Sequence, residues 1–497
     1  MHIKKIVVTG TEARDRLIKG ANLICDSVKI TIGPAGLNGL IEKGLRITND
    51  GISIATEIQA NDEIEDLGVR IVREASVKVN EESGDASTTA LVLTQAILNE
   101  AVKFLPKQTS AGMLAGKKSP VQLVREINTE KDEVIEKLKA MATPVDSKEK
   151  LIDVARVAVE FPDLAETIGA MQWELGENGT IIAEESAEPT DKIEKIKGIR
   201  IDNGFGTSLT MNNQEKQSLE VEDCKVILTN YTLHDLKPLP ILSQLLQLGS
   251  KKVVIVARAW TEEAVKLCLE NHKNGFFIYP VNAPYVDQVE IMEDMAATLG
   301  GTFYNCEERQ LEDMTLSDIG QADKVTAYRY NAIFTGEGKK IPERVIELKK
   351  KLEGEQSVFA RKALDTRISQ LENGFALLSI GATSERERKH KFDKAVDGCN
   401  AVKSALQEGT VAGGGLALKE ISEGMPDTSI LKKALVAPYN QIQINAGEKL
   451  EIEPWVRDSV KSVRIALDKA CSVAGQLATV SVAVAAEWER PHCCKGV

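Results

Sequence analysis

The feature that most restricts this chain is a change of hydrophobic rhythm near residue 180, reversed beyond residue 340. Up to about residue 132, apolar side chains recur at helical spacing. Ile64, Leu67, Ile71, Val72 and Ala75 share one face, and Ala90, Leu91, Leu93, Ala96, Ile97 and Leu98 make a more apolar helix suited to burial. Ser119-Pro120-Val121-Gln122 reads as a helix start, with Ser as cap, Pro in the first turn and Gln at the capping-box position. In the middle, short apolar runs at 180–183, 226–228, 253–256 and 276–279 alternate with helical segments at 239–248, 262–271 and 289–299. That alternation predicts an α/β domain, whose last helix closes at Gly300-Gly301. Beyond residue 340 charged helical segments return. They are broken by a strand at 376–380 and lead through a helix at 393–406 to Gly409 and Gly413-Gly414-Gly415. The dense charge run at 385–390 reads as a solvated helix start. At 497 residues the chain exceeds one hydrophobic core. The predicted fold class is multidomain α and α/β, with both ends folding together and the middle inserted into them.

The formal net charge of −12 is spread along the chain and argues against a nucleic-acid partner. Eight scattered cysteines without a CxxC pair predict reduced core thiols. His492-Cys493-Cys494 lacks the further ligands a metal site needs. The first residues lack the apolar core of a signal peptide, and no uncharged run reaches membrane-spanning length. The expectation is a cytoplasmic protein without a membrane partner.

Four segments can carry chemistry. In Gly84-Asp85-Ala86-Ser87-Thr88-Thr89 a Gly-Asp turn feeds hydroxyl residues into a helix. Free N–H groups and hydroxyls there form an anion site, and Asp85 is compatible with phosphate if Mg²⁺ lies between them. Read locally, Asp85 is more simply a plain helix cap. Thr31-Ile32-Gly33-Pro34-Ala35-Gly36 is a helix-breaking turn, and Asn49-Asp50-Gly51 has the composition of a hairpin turn. Gly413-Gly414-Gly415 before a helix lets backbone approach a ligand. No Walker A motif, kinase motif set or Gly-x-Ser-x-Gly elbow occurs.

Taken in order, Val28–Pro34, Asn49–Ser53, Gly84–Ala90, Gly381–Glu385, Gln407–Gly415 and Ser472–Gly475 make the chain resemble a group I chaperonin of the bacterial GroEL type. The resemblance implies an equatorial domain from residues 1–132 and 408–497, intermediate segments 133–190 and 339–407, and an apical domain at 191–338. It implies ATP and Mg²⁺ as cofactors. Thr31, Ile32, Gly33 and Pro34 would lie along the nucleotide, Asp85 would hold the metal, and Ala86, Ser87, Thr88 and Thr89 would cradle phosphate. Gly414 and Asp458 would sit at the ribose, and Asp397 and Asp50 at the attacking water. Phe205, Leu209, Leu239, Leu242, Val265 and Leu269 would form the apical lip that grips unfolded client proteins; read on their own, such residues are core. The implied assembly is a homo-oligomeric ring, with a co-chaperonin lid left open.

The sequence departs from that pattern in places. Ala86 stands for Gly and Ser87 for Thr. Asn49 replaces a Lys near the phosphates, and Thr210 and Glu270 make the apical lip more polar. The segment from Ala446 to Asp458 is short, which puts adenine selectivity and a back-to-back double ring in question. The Gly-Gly-Met tail is absent. Two other readings stay open: a passive holder of unfolded chains, and a metabolic ATP-dependent enzyme, for which the middle region offers no catalytic constellation.

Overall fold

The computed structural model describes residues 5–42, 46–105, 118–186, 188–214, 217–336, 338–447 and 449–487. The chain divides into two compact units. The first comprises residues 1–177, 183–192 and 378–497, and the second comprises 178–182 and 193–377. His492-Cys493-Cys494 lies outside the described residues.

The first unit begins with helices α1 (Gly10–Val28), α2 (Gly51–Glu57), α3 (Glu63–Ser83), α4 (Ser87–Phe104), α5 (Pro120–Ala140), α6 (Lys148–Ala158) and α7 (Pro162–Leu175). The Ser119 capping box at the start of α5 forms as the sequence predicts, with Gln122 reaching back to the Ser119 N–H. Asn49-Asp50-Gly51 is a different matter. It starts helix α2, with Asp50 as N-cap accepting from the N–H groups of Ile52 and Ser53, rather than turning a hairpin.

The second unit holds α8 (Ile241–Gln247), α9 (Glu262–Lys273), α10 (Gln288–Leu299), α11 (Ile341–Gly354) and α12 (Val358–Asn373). Its sheet runs in the order Phe277–Asn282, Lys252–Ala257, Leu219–Thr229, Gly320–Ala327, Ala332–Thr335, Gly198–Ile201. The first three strands are parallel and bear the runs predicted from sequence. The rest pair antiparallel, and the sequence reading missed them. Gly320–Ala327 and Gly198–Ile201 interleave buried with less buried residues, so no continuous apolar run marks them, and the buried run of Ala332–Thr335 is only three residues long.

The chain then returns to the first unit as α13 (Glu385–Glu408), α14 (Leu416–Glu423), α15 (Lys432–Leu435), α16 (Ala437–Ala446) and α17 (Val460–Thr479). The charge run 385–390 lies on α13. Residues from both ends of the sequence share one core: Ile24, Ile64, Leu91 and Leu98 are buried with Leu467, Cys471 and Leu477. Strand Lys5–Thr9 pairs antiparallel with Val482–Ala486. The expectation that the two ends fold together is met here.

Cys25, Cys224, Cys268, Cys399 and Cys471 are buried free thiols, their ionisation opposed by burial. No described helix is long and apolar enough to cross a membrane.

Leu98 on α4 is fully buried in the shared core. Leu98→Ala is expected to cost about 2–5 kcal/mol of stability, read as a lower urea midpoint for unfolding of this unit.

Candidate functional site

Helix α3 ends at Gly84 in the left-handed region, φ +67°, its N–H bonded to the Asn80 carbonyl at 2.8 Å. Two residues later the N-cap of α4 is Ala86, also left-handed at φ +66°, and no side chain caps the helix. The Asp85 carboxylate accepts the Ala86 N–H at 2.6 Å. The local reading of Asp85 as the cap of α4 is therefore wrong. The N–H groups of Ser87, Thr88 and Thr89 in the first turn have no intrahelical carbonyl to meet. Their half-buried hydroxyl side chains stand beside them. An uncapped helix start with hydroxyls around it is a site for an anion such as phosphate.

Helix α13 brings carboxylates to this turn. Ser404 on α13 donates to the Ser83 carbonyl at 3.3 Å. A Cβ on Gly84 would lie 2.2 Å from the Asn400 side chain, and one on Gly398 would lie 2.3 Å from Val159 Cγ2. Gly398 thus seats α13 against Val159 after α6, while Gly84 lets the same helix close on the α3–α4 turn beside Asp397. Its carboxyl is held well above the usual range, first by burial, then by repulsion from Asp50 and Asp85. Burial also raises Asp85, opposed by the Ala86 N–H and by Lys394. Asp50 is half-committed elsewhere, because its two oxygens cap α2. Asp393, one turn before Asp397, is bound by Arg46.

Whether Mg²⁺ suits these residues turns on the donor set. Among the described residues, no three His, Cys, Asp or Glu side chains gather closely enough to hold a metal ion unaided. Mg²⁺ keeps to one or two carboxylates plus phosphate oxygens and water, so Asp85 beside an anion site fits a cation that arrives with a polyphosphate.

The other end of the recess is built by loops. Thr31 is buried, and its hydroxyl donates to the Val28 carbonyl at 2.9 Å, which leaves it only as an acceptor. Asn445 on α16 donates to the carbonyls of Lys29 and Ile32, both at 2.9 Å. Together with Ile442 packed against Gly33 at φ +88°, this pins the Thr31–Pro34 loop. Asp458 pairs opposite Val411 in the short ladder of Thr410–Ala412 with Arg457–Ser459. It accepts the Gly414 N–H, and burial followed by repulsion from Asp85 pushes its carboxyl up to about 7. The space that side chains on the three glycines would need is already taken by protein. Asp458 stands beside Gly413, Ile452 beside Gly414 and the backbone of Tyr439 beside Gly415.

Site geometry thus unites Asp50, Asp85, Asp397 and Asp458 from four separate parts of the sequence around one uncapped helix start. Residues 24–429 match the TCP-1/cpn60 chaperonin family. The chain belongs to that family. This chaperonin is similar in fold to the chaperonin gp146 of bacteriophage EL 2 (Pseudomonas aeruginosa), crystallised in the presence of ATP-BeFx. One crystal form gives a TM-score of 0.67 at 20% identity, covering 98% of this chain and 100% of that one. A second form gives 0.68 at 20% identity, covering 97% and 99%.

In the second unit, the six positions expected at the client lip separate by burial. Leu209 is 70% exposed, on the turn Ser208–Thr210. Phe205, Val265 and Leu269 are half-buried. Leu239 and Leu242 do not reach the surface: at 2% and 7% exposure they pack with Ile241, Leu245 and Ile255. Helix α8 has only seven residues and buries Ile241, Leu242 and Leu245 on its sheet-facing side, so its outer apolar residues are Leu246 and the following Leu248.

Sequence reasoning passed over several residues that shape the first unit's site. Lys394 precedes Asp397 by three positions on α13 and so shares its face, a spacing readable in advance. Glu160, His390, Ile452 and Asn445 carry no local signal, since each acts through a partner distant in sequence.

Asp458 supplies a pH test. Its folded carboxyl titrates near 7, above the ordinary carboxylate range that applies to the unfolded chain. Its contribution to stability is full below that lower range and is lost as pH rises through the folded value. Asp458→Asn is expected to raise Tm over the parent at about pH 8, with the gain shrinking toward about pH 5. A gain independent of pH would contradict the assignment.

Proposed function

We propose that this chaperonin binds Mg-ATP at the start of α4 and hydrolyses it to drive the folding of non-native proteins. The observation that carries the reading is the uncapped N-terminus of α4 beside three mutually repelling carboxylates. Such a recess favours a ligand that is an anion at one end and brings a divalent cation at the other. Ser87, Thr88 and Thr89 would bind phosphate oxygens through N–H and hydroxyl groups, and Asp85 would take the cation. Bound Mg²⁺ would neutralise charge on the phosphates. Phosphoryl transfer then asks the protein mainly for positioning of a water in line. Asp397 suits that task, since burial and the nearby carboxylates make it a stronger base than an ordinary carboxylate. Asp50 fixes the start of α2 beside it and adds to the field on Asp397. Gly414 and Asp458 would meet the sugar end.

The domain reading that goes with this function has residues 1–132 and 408–497 as the equatorial part, 133–190 and 339–407 as intermediate segments, and 191–338 as the apical part. Client chains would meet Leu209, Leu246, Leu248, Val265 and Leu269 on the apical part, because exposed apolar side chains bind unfolded polypeptide without sequence preference. Assembly into a homo-oligomeric ring is supported by two open ribbons. The pair Lys5–Thr9 with Val482–Ala486 and the pair Gly39–Ile41 with Arg46–Thr48 gain no further strand among the described residues. They expose Val7, Val482, Val484, Leu40 and Ile47. Two-stranded ribbons are marginal alone and present unpaired edges, so a second copy completing them is the economical outcome.

Asp397→Ala is expected to bind Mg-ATP within a few-fold of the parent and to hydrolyse it about 100-fold or more slowly, measured by calorimetry and phosphate release. Unchanged turnover would remove Asp397 from the mechanism. Client refolding that proceeds equally with and without ATP would favour a passive holder. Leu40→Asp is expected to convert assembled particles to single subunits in sedimentation and particle images; intact rings would exclude the ribbons as the contact.

A further inference from the structure

Lys394 is the cation closest in effect to the carboxylate recess. Its side chain is only 13% exposed, and its Nζ lies 3.3 Å from Glu160 Oε1. Glu160 is a hub. It also meets His390 Nε2 at 3.2 Å and accepts from the Asn49 amide, and with these donors its carboxyl is held down to about 2. Arg46, the neighbouring cation on the strand before Asn49, is taken by Asp393. Lys394 therefore sits beside the recess without a recess carboxylate as its own partner. Its field nevertheless reaches both Asp85 and Asp397. Among the described residues it is the one cation that lowers Asp85.

Charge balance gives this placement a purpose. Mg-triphosphate remains anionic, and Asp50, Asp85 and Asp397 add negative charge around it. Asn49, at the mouth of α2, brings no positive charge, and its buried Oδ1 has no hydrogen-bond partner. An ammonium carries three donors, and the pair with Glu160 uses one. We propose that Lys394, positioned by Glu160, binds the terminal phosphate of a nucleoside triphosphate and is the residue by which this site tells triphosphate from diphosphate. Glu160 holds the lysine at the recess and keeps it from closing directly on Asp397, one turn along the same helix. The proposal rests on the nucleotide reading of the α4 start.

The test titrates the full-length protein with Mg-ATP and with Mg-ADP by calorimetry, alongside steady-state hydrolysis. Lys394→Met and Lys394→Gln are expected to weaken ATP by about 10- to 100-fold, the range of one charge-assisted hydrogen bond, and ADP by less than about threefold. Lys394→Gln keeps a donor toward Glu160 and serves if the Met variant does not fold. Lys394→Arg is expected to retain the ATP-over-ADP preference. A neutral variant with the parent's preference overturns the proposal. So does equal loss of ATP and ADP, which marks a structural role. If the parent protein itself binds neither nucleotide, the reading of the α4 start falls and this proposal falls with it. If the parent binds and turns over ATP while the neutral variants match it, only the role of Lys394 falls.

Discussion

Helix α13 can approach the α3–α4 turn because a Cβ atom is missing at Gly84, where Asn400 packs. Everything else at the site depends on that approach. Without it Asp397 stands away from Asp85, and the N-terminus of α4 faces water as an ordinary exposed helix end. With it, a half-buried carboxylate sits above the three unpaired backbone donors of Ser87, Thr88 and Thr89. Gly84 is doubly fixed, since its left-handed φ and its contact with Asn400 both exclude a side chain. Ala86 shows the same demand on the backbone met at a cost. Alanine in the left-handed region carries about 1–2 kcal/mol of strain that glycine avoids. Strain of that kind persists where the surrounding packing over-determines the backbone, and it clusters at ligand sites.

The electrostatics follow from the same geometry. Burial raises Asp85, Asp397 and Asp458, repulsion from neighbouring carboxylates raises the last two further, and the cations nearby are held by partners of their own: Arg46 by Asp393, Lys394 by Glu160. The recess therefore concentrates negative charge that a cation relieves. Such a site gains stability on loading, and the gain is largest where carboxylates are ionised.

Much of this was legible in the sequence, and the limits are instructive. The three-part rhythm gave the multidomain α and α/β fold because amphipathic helices and parallel strands both leave strong local patterns, as with Val253–Val256 inside the strand Lys252–Ala257. The antiparallel strand Gly320–Ala327 went unseen because one-sided burial dilutes the apolar signal, and Ala332–Thr335 because its buried run is only three residues long. Asp85, Asp397 and Asp458 were singled out by the order of motifs, not by local chemistry; on its own Asp85 reads as a cap, and only the backbone at Ala86 removes that reading. Leu239 and Leu242 failed for a different reason. A short helix lying on a sheet buries whichever residues face down, and a position taken from a resemblance carries no information about that rotation.

The Gly414 end of the recess shows what a short return segment does physically. Between α16 and the strand Arg457–Ser459 the chain has few residues in which to return. Gln443 clamps that return from both sides, donating to the Leu450 carbonyl at 3.1 Å and accepting the Leu450 N–H at 2.7 Å. The clamp places Ile452 against Gly414, where a Cβ would come within 2.5 Å of it. An isoleucine gives a flat base an apolar surface but no hydrogen bonds, so contact there discriminates weakly between purines. On the proposed nucleotide reading, selectivity would rest on the phosphate end, where charge and the α4 N–H groups act, and the base end would contribute affinity through burial alone.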